Sequence, residues 1–173
     1  MVRKDRVIIV LLTNLFFLAQ GFATPHYYCE KYIEEAAKKT GVLPEIIWAV
    51  AKAESNWGTR PWPWTINIKG KGYYFPNKAA AEKFLKTLPK KVRYQTDVGC
   101  MQVNWGYHGT GFSRVTEMLN PRLNILYAAY FLKELYQESG RWAKAVASYH
   151  SRKWSHGGKY ANRVAHLVKD YEK

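Results

Sequence analysis

Cysteine and histidine are scarce in this chain of 173 residues, with two and five copies that are scattered along it. Metal ions such as zinc are held by clusters of these residues at short spacings, and no such cluster occurs in the sequence. We therefore predict no metal site, and no feature of the sequence calls for an organic cofactor. Internal repeats and low-complexity linkers are also missing, and the length suffices for one domain with a hydrophobic core.

Long apolar runs are absent except near the N-terminus. There a short, mainly basic stretch precedes an almost unbroken apolar run over residues 7–19, and the small residues Gly21 and Ala23 follow it. This order is typical of a secretory signal peptide, and the run is shorter than the roughly 20 residues that span a bilayer. We predict a signal peptide over residues 1–23 and a mature domain over residues 24–173, with an uncleaved N-terminal anchor as the alternative.

Acidic residues are also few, since 13 Asp and Glu stand against 27 Lys and Arg, a net charge of +14. Removal of residues 1–23 takes three basic residues and one acid, which leaves 24 against 12 and a net charge of +12. In an exported protein this charge favours an anionic polymer or surface, which it concentrates by electrostatic attraction. Nucleic acid is the other common partner of a basic, aromatic-rich chain, but no nucleic-acid-binding motif is present and we predict no such partner.

The two cysteines, Cys29 and Cys100, both lie in the predicted mature chain. An even number of cysteines in an oxidising compartment permits a disulfide, and two buried free thiols are the alternative. A bridge would close a loop of about 70 residues and stabilise the fold by about 4 kcal/mol in the chain-entropy model. We predict that the two cysteines are paired.

Apolar residues at helical spacing dominate the predicted mature chain. Residues 27–40 form the first such segment, closed by Gly41, which suits a helix C-terminus. Pro44 suits the first turn of a second helix, whose apolar stripe runs as far as Trp57 and which Gly58 ends. Further helical stripes follow from Asn120-Pro121 to Gly140, over residues 142–149 and over residues 160–171.

Residues 60–97 begin without helical spacing. Prolines at positions 61 and 63 exclude a helix there, and residues 65–68 and 73–75 predict a small hairpin around a Lys-Gly-Lys-Gly turn. A short helix is predicted over residues 78–88. The predicted fold is mainly α, a single domain with a small β-hairpin insertion.

Glu54 is the strongest candidate catalytic residue. It lies near the C-terminal end of the second helix, where the helix dipole disfavours a negative charge by about 0.3–1 kcal/mol. The neighbouring Ala53 and Trp57 offer apolar surface, and partial burial raises the pKa of a carboxyl. A carboxyl that keeps its proton near neutral pH can protonate the leaving oxygen of a glycosidic bond. On helix position alone, an ordinary surface glutamate is the alternative.

Four short motifs follow one another along the chain from this glutamate onward. They are Ala53-Glu54-Ser55-Asn56-Trp57, Thr96-Asp97-Val98-Gly99-Cys100-Met101-Gln102-Val103-Asn104, Asn120-Pro121 with Asn124-Ile125, and Ala147-Ser148-Tyr149-His150-Ser151. The ordered set resembles the lysozyme-like superfamily and especially its lytic transglycosylases, whose motifs are E-S, G-x-M-Q, N-P-x-x-N-I and A-x-Y-N. The resemblance implies a lysozyme-like fold that cleaves peptidoglycan glycan strands.

The resemblance also implies a mechanism and a set of site residues. Glu54 would protonate the leaving oxygen of the β-1,4 bond between N-acetylmuramic acid and N-acetylglucosamine. It would then deprotonate the C6 hydroxyl of N-acetylmuramic acid, so that a 1,6-anhydro ring forms and no water is consumed. The substrate-binding positions that carry over are Ser55, Gly99, Met101, Gln102, Asn104, Tyr149 and His150.

Several of these residue types suit a sugar site. Gly99 lets backbone approach a sugar closely, while Gln102 and Asn104 offer donors and acceptors to acetamido and hydroxyl groups. Tyr149 can pack on a sugar ring and orient the catalytic carboxyl. His150 stands where the family usually has asparagine, so its charge would respond to pH. The aromatic residues that are candidates for lining a glycan groove, with core packing as the alternative, are Trp57, Trp62, Trp64, Tyr73 and Tyr74.

Asp97 leaves a second reaction open. The stretch around it is also similar to the one that carries the nucleophilic aspartate of animal-type lysozymes. With two carboxyls about 5–5.5 Å apart, a retaining hydrolase is expected, and the protein would be a muramidase. Otherwise Asp97 is structural and caps the hairpin. The G-x-M-Q and N-P-x-x-N-I motifs favour the transglycosylase.

The form of the second motif is also like that of specialised transglycosylases attached to secretion and conjugation systems. The resemblance therefore implies peptidoglycan as the main partner, a cell-envelope secretion apparatus as a further one, and a periplasmic or secreted location in a bacterial envelope. A non-catalytic wall-binding accessory of such an apparatus is the remaining alternative.

Overall fold

The computed structural model describes residues 27–171, and the predicted signal peptide lies outside them. The described chain is mainly α-helical, as predicted, with a small antiparallel β region. Its α-helices are α1 (Ile33–Thr40), α2 (Pro44–Ser55), α3 (Lys78–Thr87), α4 (Lys90–Arg93), α5 (Trp105–His108), α6 (Pro121–Ser139), α7 (Trp142–His150) and α8 (Trp154–Val168). Its strands are β1 (Asn56–Trp57), β2 (Arg60–Pro61), β3 (Thr65–Ile68), β4 (Lys71–Tyr74), β5 (Thr96–Val98) and β6 (Val103–Asn104). Short 3₁₀ turns occupy Glu30–Tyr32, Gly109–Gly111 and Val115–Leu119.

Local sequence signals set several helix ends. Gly41 follows α1 with a φ of 76°, and its N–H donates to the Ala37 carbonyl at 2.8 Å. α6 begins after Asn120, whose side-chain oxygen accepts from the N–H of Arg122 at 3.0 Å. It ends at Gly140, which has a φ of 66°. The predicted start and end of α6 and the predicted end of α1 are therefore confirmed.

Two other predicted boundaries are wrong. The first α-helix begins at Ile33 rather than at residue 27, after a 3₁₀ turn. α2 ends at Ser55, short of its predicted end, because Asn56 turns the chain out of the helix with a ψ of 122°. Trp57, which the periodicity placed on the apolar stripe, therefore lies in β1 and is 48% exposed.

The predicted hairpin is formed by β3 and β4, with Lys69 and Gly70 between them. Both residues have positive φ, 52° and 85°, as two-residue hairpin turns require. The Asn67 side-chain oxygen accepts from the Gly70 N–H at 2.8 Å. β4 runs from Lys71 to Tyr74, earlier than the predicted second strand.

This hairpin is part of a four-stranded antiparallel sheet in the order β4-β3-β5-β6. In its register, Asp97 of β5 lies opposite Asn67 on one side and Asn104 on the other. Sequence analysis did not predict β5 and β6, because strands of two or three residues are too short to show an alternating pattern. The sheet thus positions most of the second motif.

The hydrophobic core lies among α2, α6, α7 and α8 and continues beneath the sheet. Val50 and Ile125, on two of the predicted stripes, are fully buried, as is Val98 on β5. The structure contains the predicted disulfide between Cys29 and Cys100, which ties the segment before α1 to the turn after β5. Over residues 27–171, no helix combines the length and the apolar character that crossing a membrane needs.

Candidate active site

A cleft of about 410 Å³ lies between the sheet and the helical body. Glu54 reaches it from the end of α2, and Asp97, Gln102 and Asn104 reach it from the β5–β6 region. α5, α6 and α7 contribute the opposite side, which includes Tyr149. The cleft therefore gathers residues from three of the four motifs that the sequence analysis singled out.

Glu54 is the penultimate residue of α2, and only 17% of its side chain is exposed. Burial raises its pKa from 4.5 to about 7, and the negative charge of Asp97 adds to that rise, while Tyr160 and Arg163 act in the opposite direction. The predicted rise in pKa and its predicted main cause, burial, are therefore both present. Trp57 itself is half-exposed and does not line the cleft.

Two aromatic rings lie against this carboxyl. His150 Nδ1 is 4.0 Å from Glu54 Oε1, and the imidazole stacks on Tyr160 with ring centroids 4.5 Å apart. The Tyr160 hydroxyl is buried and has no partner at full hydrogen-bonding geometry among residues 27–171. It lies close enough to Glu54 to interact with its charge. Burial and the negative charge of Glu54 together raise the pKa of this tyrosine well above its usual range. Sequence analysis placed Tyr160 on an apolar stripe and missed this contact, since periodicity shows that a residue is buried but not what its hydroxyl meets.

Asp97 is the second carboxyl of the cleft. The Asn104 side-chain amide donates to Asp97 Oδ1 at 2.7 Å. Burial raises the pKa of Asp97, while the Asn104 hydrogen bond and the nearby His150 lower it. The structure corrects the expectation that Asp97 caps the hairpin, because it lies in the middle of β5 and faces the cleft.

The polar side chains of the cleft are held in place by the protein itself. Gln102 has a φ of 46°, rare for a residue other than glycine, and its Nε2 donates to the carbonyls of Thr65 and Gly99 at 3.1 and 2.9 Å. The Tyr149 hydroxyl donates to the Met101 carbonyl at 2.8 Å, and burial raises the pKa of that tyrosine. These bonds preorganise the wall of the cleft before any ligand binds.

Asn104 uses both ends of its amide within the protein. Besides its bond to Asp97, its Oδ1 accepts from the Tyr107 N–H at 3.1 Å and caps α5. Its role in the described structure is to position the carboxylate and a helix. Asn104 also lines the cleft, so its expected contact with substrate groups stays a prediction beside this positioning role.

Three residues expected to bind substrate lie behind the cleft. Ser55 is fully buried, and its hydroxyl shares its one proton between the carbonyls of Ala51 and Cys100, at 3.1 and 2.7 Å. Met101 is also fully buried. Gly99 has a φ of 87°, and a Cβ there would lie 2.6 Å from the amide of Asn124. The three expectations are corrected: none of these side-chain positions faces a ligand, and Gly99 admits a protein side chain instead of a sugar.

Asn124 is the residue that connects this layer to α6. It is fully buried, its Oδ1 accepts from the Met101 N–H at 2.8 Å, and its Nδ2 donates to the Val98 carbonyl at 2.9 Å. In the sequence it stands out only as part of the motif that opens a helix. A polar residue among apolar ones on a helix was the available signal, since buried amides require partners.

The aromatic lining of the cleft also differs from expectation. The five aromatic candidates between positions 57 and 74 do not line it. Trp57, Trp62 and Trp64 instead contact one another, with ring centroids 4.7 Å apart for the first pair and 5.1 Å for the second. The rings that line the cleft are those of Tyr107, His108, Tyr127, Phe131, Tyr149 and His150. Within residues 27–171, no three His, Cys, Asp or Glu side chains are grouped as a metal site requires.

Comparison with protein families gives one match. The model of the transglycosylase SLT domain matches residues 31–163. Searches of curated proteins and of solved structures find no significant match to the chain. The matched range contains Glu54, the β5–β6 region, the middle of α6 and the end of α7, all of which line the cleft.

Proposed function

The chain belongs to the transglycosylase SLT domain family, whose activity is directed at peptidoglycan, and we propose that it is a lytic transglycosylase. The proposed reaction breaks the β-1,4 bond between N-acetylmuramic acid and N-acetylglucosamine and leaves a 1,6-anhydro end on the muramic acid. The substrate is the glycan strand of the cell wall, and no cofactor takes part.

The environment of Glu54 is the observation that carries this proposal. A carboxyl with a pKa of about 7 is protonated in roughly half of the molecules near neutral pH, and it can both give and take a proton there. Its side chain is mostly buried but opens on the cleft. A group that must serve first as an acid and then as a base needs a pKa close to the working pH.

The proposed steps move one proton out and one back. Glu54 donates its proton to the glycosidic oxygen as the bond from the anomeric carbon breaks, and positive charge develops on the muramic acid ring. Glu54, now ionised, takes the proton of the C6 hydroxyl while that oxygen bonds to the anomeric carbon. The carboxyl returns to its protonated state, and the bond made replaces the bond broken.

Other groups of the cleft support these steps. Asp97 lies near enough to Glu54 to raise its pKa and would stabilise developing positive charge on the sugar by electrostatic attraction. The amide of Gln102 is oriented by its two bonds to backbone carbonyls, so its oxygen is available to accept from a substrate N–H or hydroxyl. Tyr107, which is 87% exposed at the cleft, offers a ring face to a sugar.

A muramidase is the second candidate, and one observation favours it. Asp97 shares the cleft with Glu54, as the second carboxylate of a retaining hydrolase would. In that reaction Asp97 would attack the anomeric carbon, and water would complete the hydrolysis. We prefer the transglycosylase because the family of the chain is named for that activity.

The same proposal includes a place in the cell. An enzyme that acts on peptidoglycan works in the envelope, and we propose that residues 1–23 direct export to the periplasm or beyond. A secretion apparatus that needs a local gap in the wall is a proposed partner. A non-catalytic wall-binding accessory would not need a buried carboxyl with a raised pKa, which argues for an enzyme.

The test is an analysis of the ends that the purified protein produces on sacculi. Mass spectrometry of the soluble products counts 1,6-anhydro ends and reducing ends separately, with the Glu54→Gln protein as the background. We expect anhydro ends to dominate. A majority of reducing ends would identify a muramidase, and no ends above background would leave only the binding accessory.

A further inference from the structure

A second cavity, of about 290 Å³, lies outside the cleft and takes no part in the steps above. Lys90 and Arg93 of α4 line it, together with Arg114. Tyr94 and Trp105 add aromatic side chains to the lining, and Ser113 and Val115 complete it. Among the described residues, no acidic side chain lines it. The cavity therefore combines cationic groups with aromatic surface.

Lys90 and Arg93 bring positive charge to the cavity that the described part of the protein does not neutralise. The Arg93 Nε is shielded from solvent and has no hydrogen-bond partner within residues 27–171. No ion pair of that part of the chain includes Arg93 or Lys90. A shielded donor on a charged group costs free energy unless an acceptor meets it. An anion in the cavity would neutralise the unpaired charges of Lys90 and Arg93.

Arg114 is only partly neutralised by the protein. Its Nε lies 4.0 Å from Glu117 Oε1, and its side chain is 75% exposed. The other oxygen of Glu117 accepts from the Ser113 N–H at 2.9 Å. Exposed ion pairs at this distance contribute little stabilising energy. Arg114 therefore remains able to attract an anion toward Lys90 and Arg93.

The cavity lies next to the catalytic cleft, with only α5 between them. Tyr107 and His108 line the cleft, while Trp105 of the same helix lines the second cavity. A four-residue helix is only about 6 Å long. Gly106 is packed so closely that a Cβ there would collide with the Tyr94 carbonyl, so α5 is held firmly against the cavity wall. The two cavities therefore share α5 as a common wall.

We propose that the second cavity binds carboxylates of the peptide stems that peptidoglycan carries on N-acetylmuramic acid, an inference that rests on the proposed function. Lys90 and Arg93 pair with stem carboxylates by charge-assisted hydrogen bonds. The rings of Tyr94 and Trp105 pack on the aliphatic parts of the peptide. This apolar surface favours a peptide over a phosphate polymer, which offers charge and little apolar surface.

The test measures binding on the catalytically inactive Glu54→Gln protein, so that it does not depend on turnover. A synthetic stem tetrapeptide is titrated while the NMR signal of the Trp105 indole N–H is followed, after assignment by its loss in Trp105→Phe. The same peptide with amidated carboxyls and inorganic phosphate are titrated in parallel. Lys90→Gln is compared with Lys91→Gln, which removes an exposed charge from the same helix but outside the cavity.

We expect the tetrapeptide to shift the Trp105 signal and its affinity to fall about three- to tenfold in Lys90→Gln. In Lys91→Gln the affinity should change less than twofold. Equal binding of the amidated peptide, or equal effects of the two lysine variants, would overturn the proposal. Tighter binding of phosphate than of the tetrapeptide would assign the cavity to a phosphate polymer and would equally overturn it. If the peptide binds but sacculi yield no anhydro ends, the proposed function fails while the cavity assignment stands.

Discussion

The β5–β6 region presents one face to the cleft and the opposite face to the core. Asp97, Gln102 and Asn104 open on the cleft, where their polar atoms are within reach of a ligand. Cys100 and Met101 lie between them in the chain and are fully buried. The end of α2 shows the same division, since Glu54 lines the cleft and the next residue, Ser55, is enclosed.

The two faces differ in what they stabilise. The cleft face holds two carboxyls whose charged forms are disfavoured by burial, so it costs folding free energy and serves chemistry. The buried face consists of satisfied hydrogen bonds among Ser55, Asn124 and backbone groups. One motif thus contains residues of both kinds side by side. Substitutions on the cleft face should change activity, and substitutions on the buried face should change stability.

Of the variants of the two faces, Glu54→Gln should lose the most activity while its fold stays unchanged. Because an amide cannot deliver a proton, we expect turnover of sacculi to fall by about 10²–10⁴, with the fold unchanged. Release of soluble fragments measures the loss, and circular dichroism checks the fold. Glu45→Gln, in the first turn of the same helix, is the control and should keep full activity. Activity within tenfold of wild type would remove Glu54 from the catalytic role.

Asn124→Ala should produce the converse effect on the buried face. The change leaves the Met101 N–H and the Val98 carbonyl without partners, so we expect the free energy of unfolding to fall by about 2–4 kcal/mol. Urea unfolding followed by tryptophan fluorescence measures it. Asn162→Ala, at an exposed position of α8, should change stability by less than about 0.5 kcal/mol. Equal stability of the two variants would show that the buried layer does not hold the cleft wall.

The pH dependence of the unfolding free energy should show how much stability the burial of Glu54 in the cleft costs. The folded pKa of Glu54 is about 7 against an ordinary 4.5, so the folded state binds more protons between these values and stability falls as pH rises through them. The lost stability should be about 1–3 kcal/mol, below the full effect of the shift because the side chain is partly exposed. Glutamine does not titrate, so the variant should not lose this stability. The difference in unfolding free energy between Glu54→Gln and wild type should therefore shift in favour of the variant by that amount from pH 4 to pH 8. Urea unfolding of both proteins at the two pH values measures the difference, and a constant difference would mean that the carboxyl is not shielded.

Asp97→Asn should have the smallest effect and sharpens the comparison within the cleft face. In the proposed reaction Asp97 takes no obligatory step, so we expect activity to fall less than about tenfold and anhydro ends to remain dominant. Because the charge of Asp97 raises the pKa of Glu54, its removal should move the alkaline limit of the pH–activity profile to lower pH. Glu138→Gln, in an exposed ion pair with Arg152, is the control. A loss as large as that of Glu54→Gln, with reducing ends in the wild-type products, would make the protein a muramidase.

The sequence by itself determined the mainly α fold and several helix ends, and it singled out Glu54 as the candidate catalytic residue. Gly41, Gly140 and Asn120 act on the backbone within a few residues, so their effects can be predicted locally. The order of the motifs identified the family without any knowledge of distances. The match over residues 31–163 confirms that identification.

Only the tertiary structure decided which motif residues face the cleft. Ser55 and Met101 are motif residues as much as Glu54 and Gln102 are, yet both are fully buried. Met101 is held there by the bond of its N–H to Asn124, and Ser55 by the bond of its hydroxyl to the Cys100 carbonyl. The contact of Tyr160 with Glu54 likewise joins segments far apart in the chain. The physical reason is that side-chain direction in short strands and turns depends on contacts with distant segments, whereas periodicity and capping report only on residues within one or two helical turns.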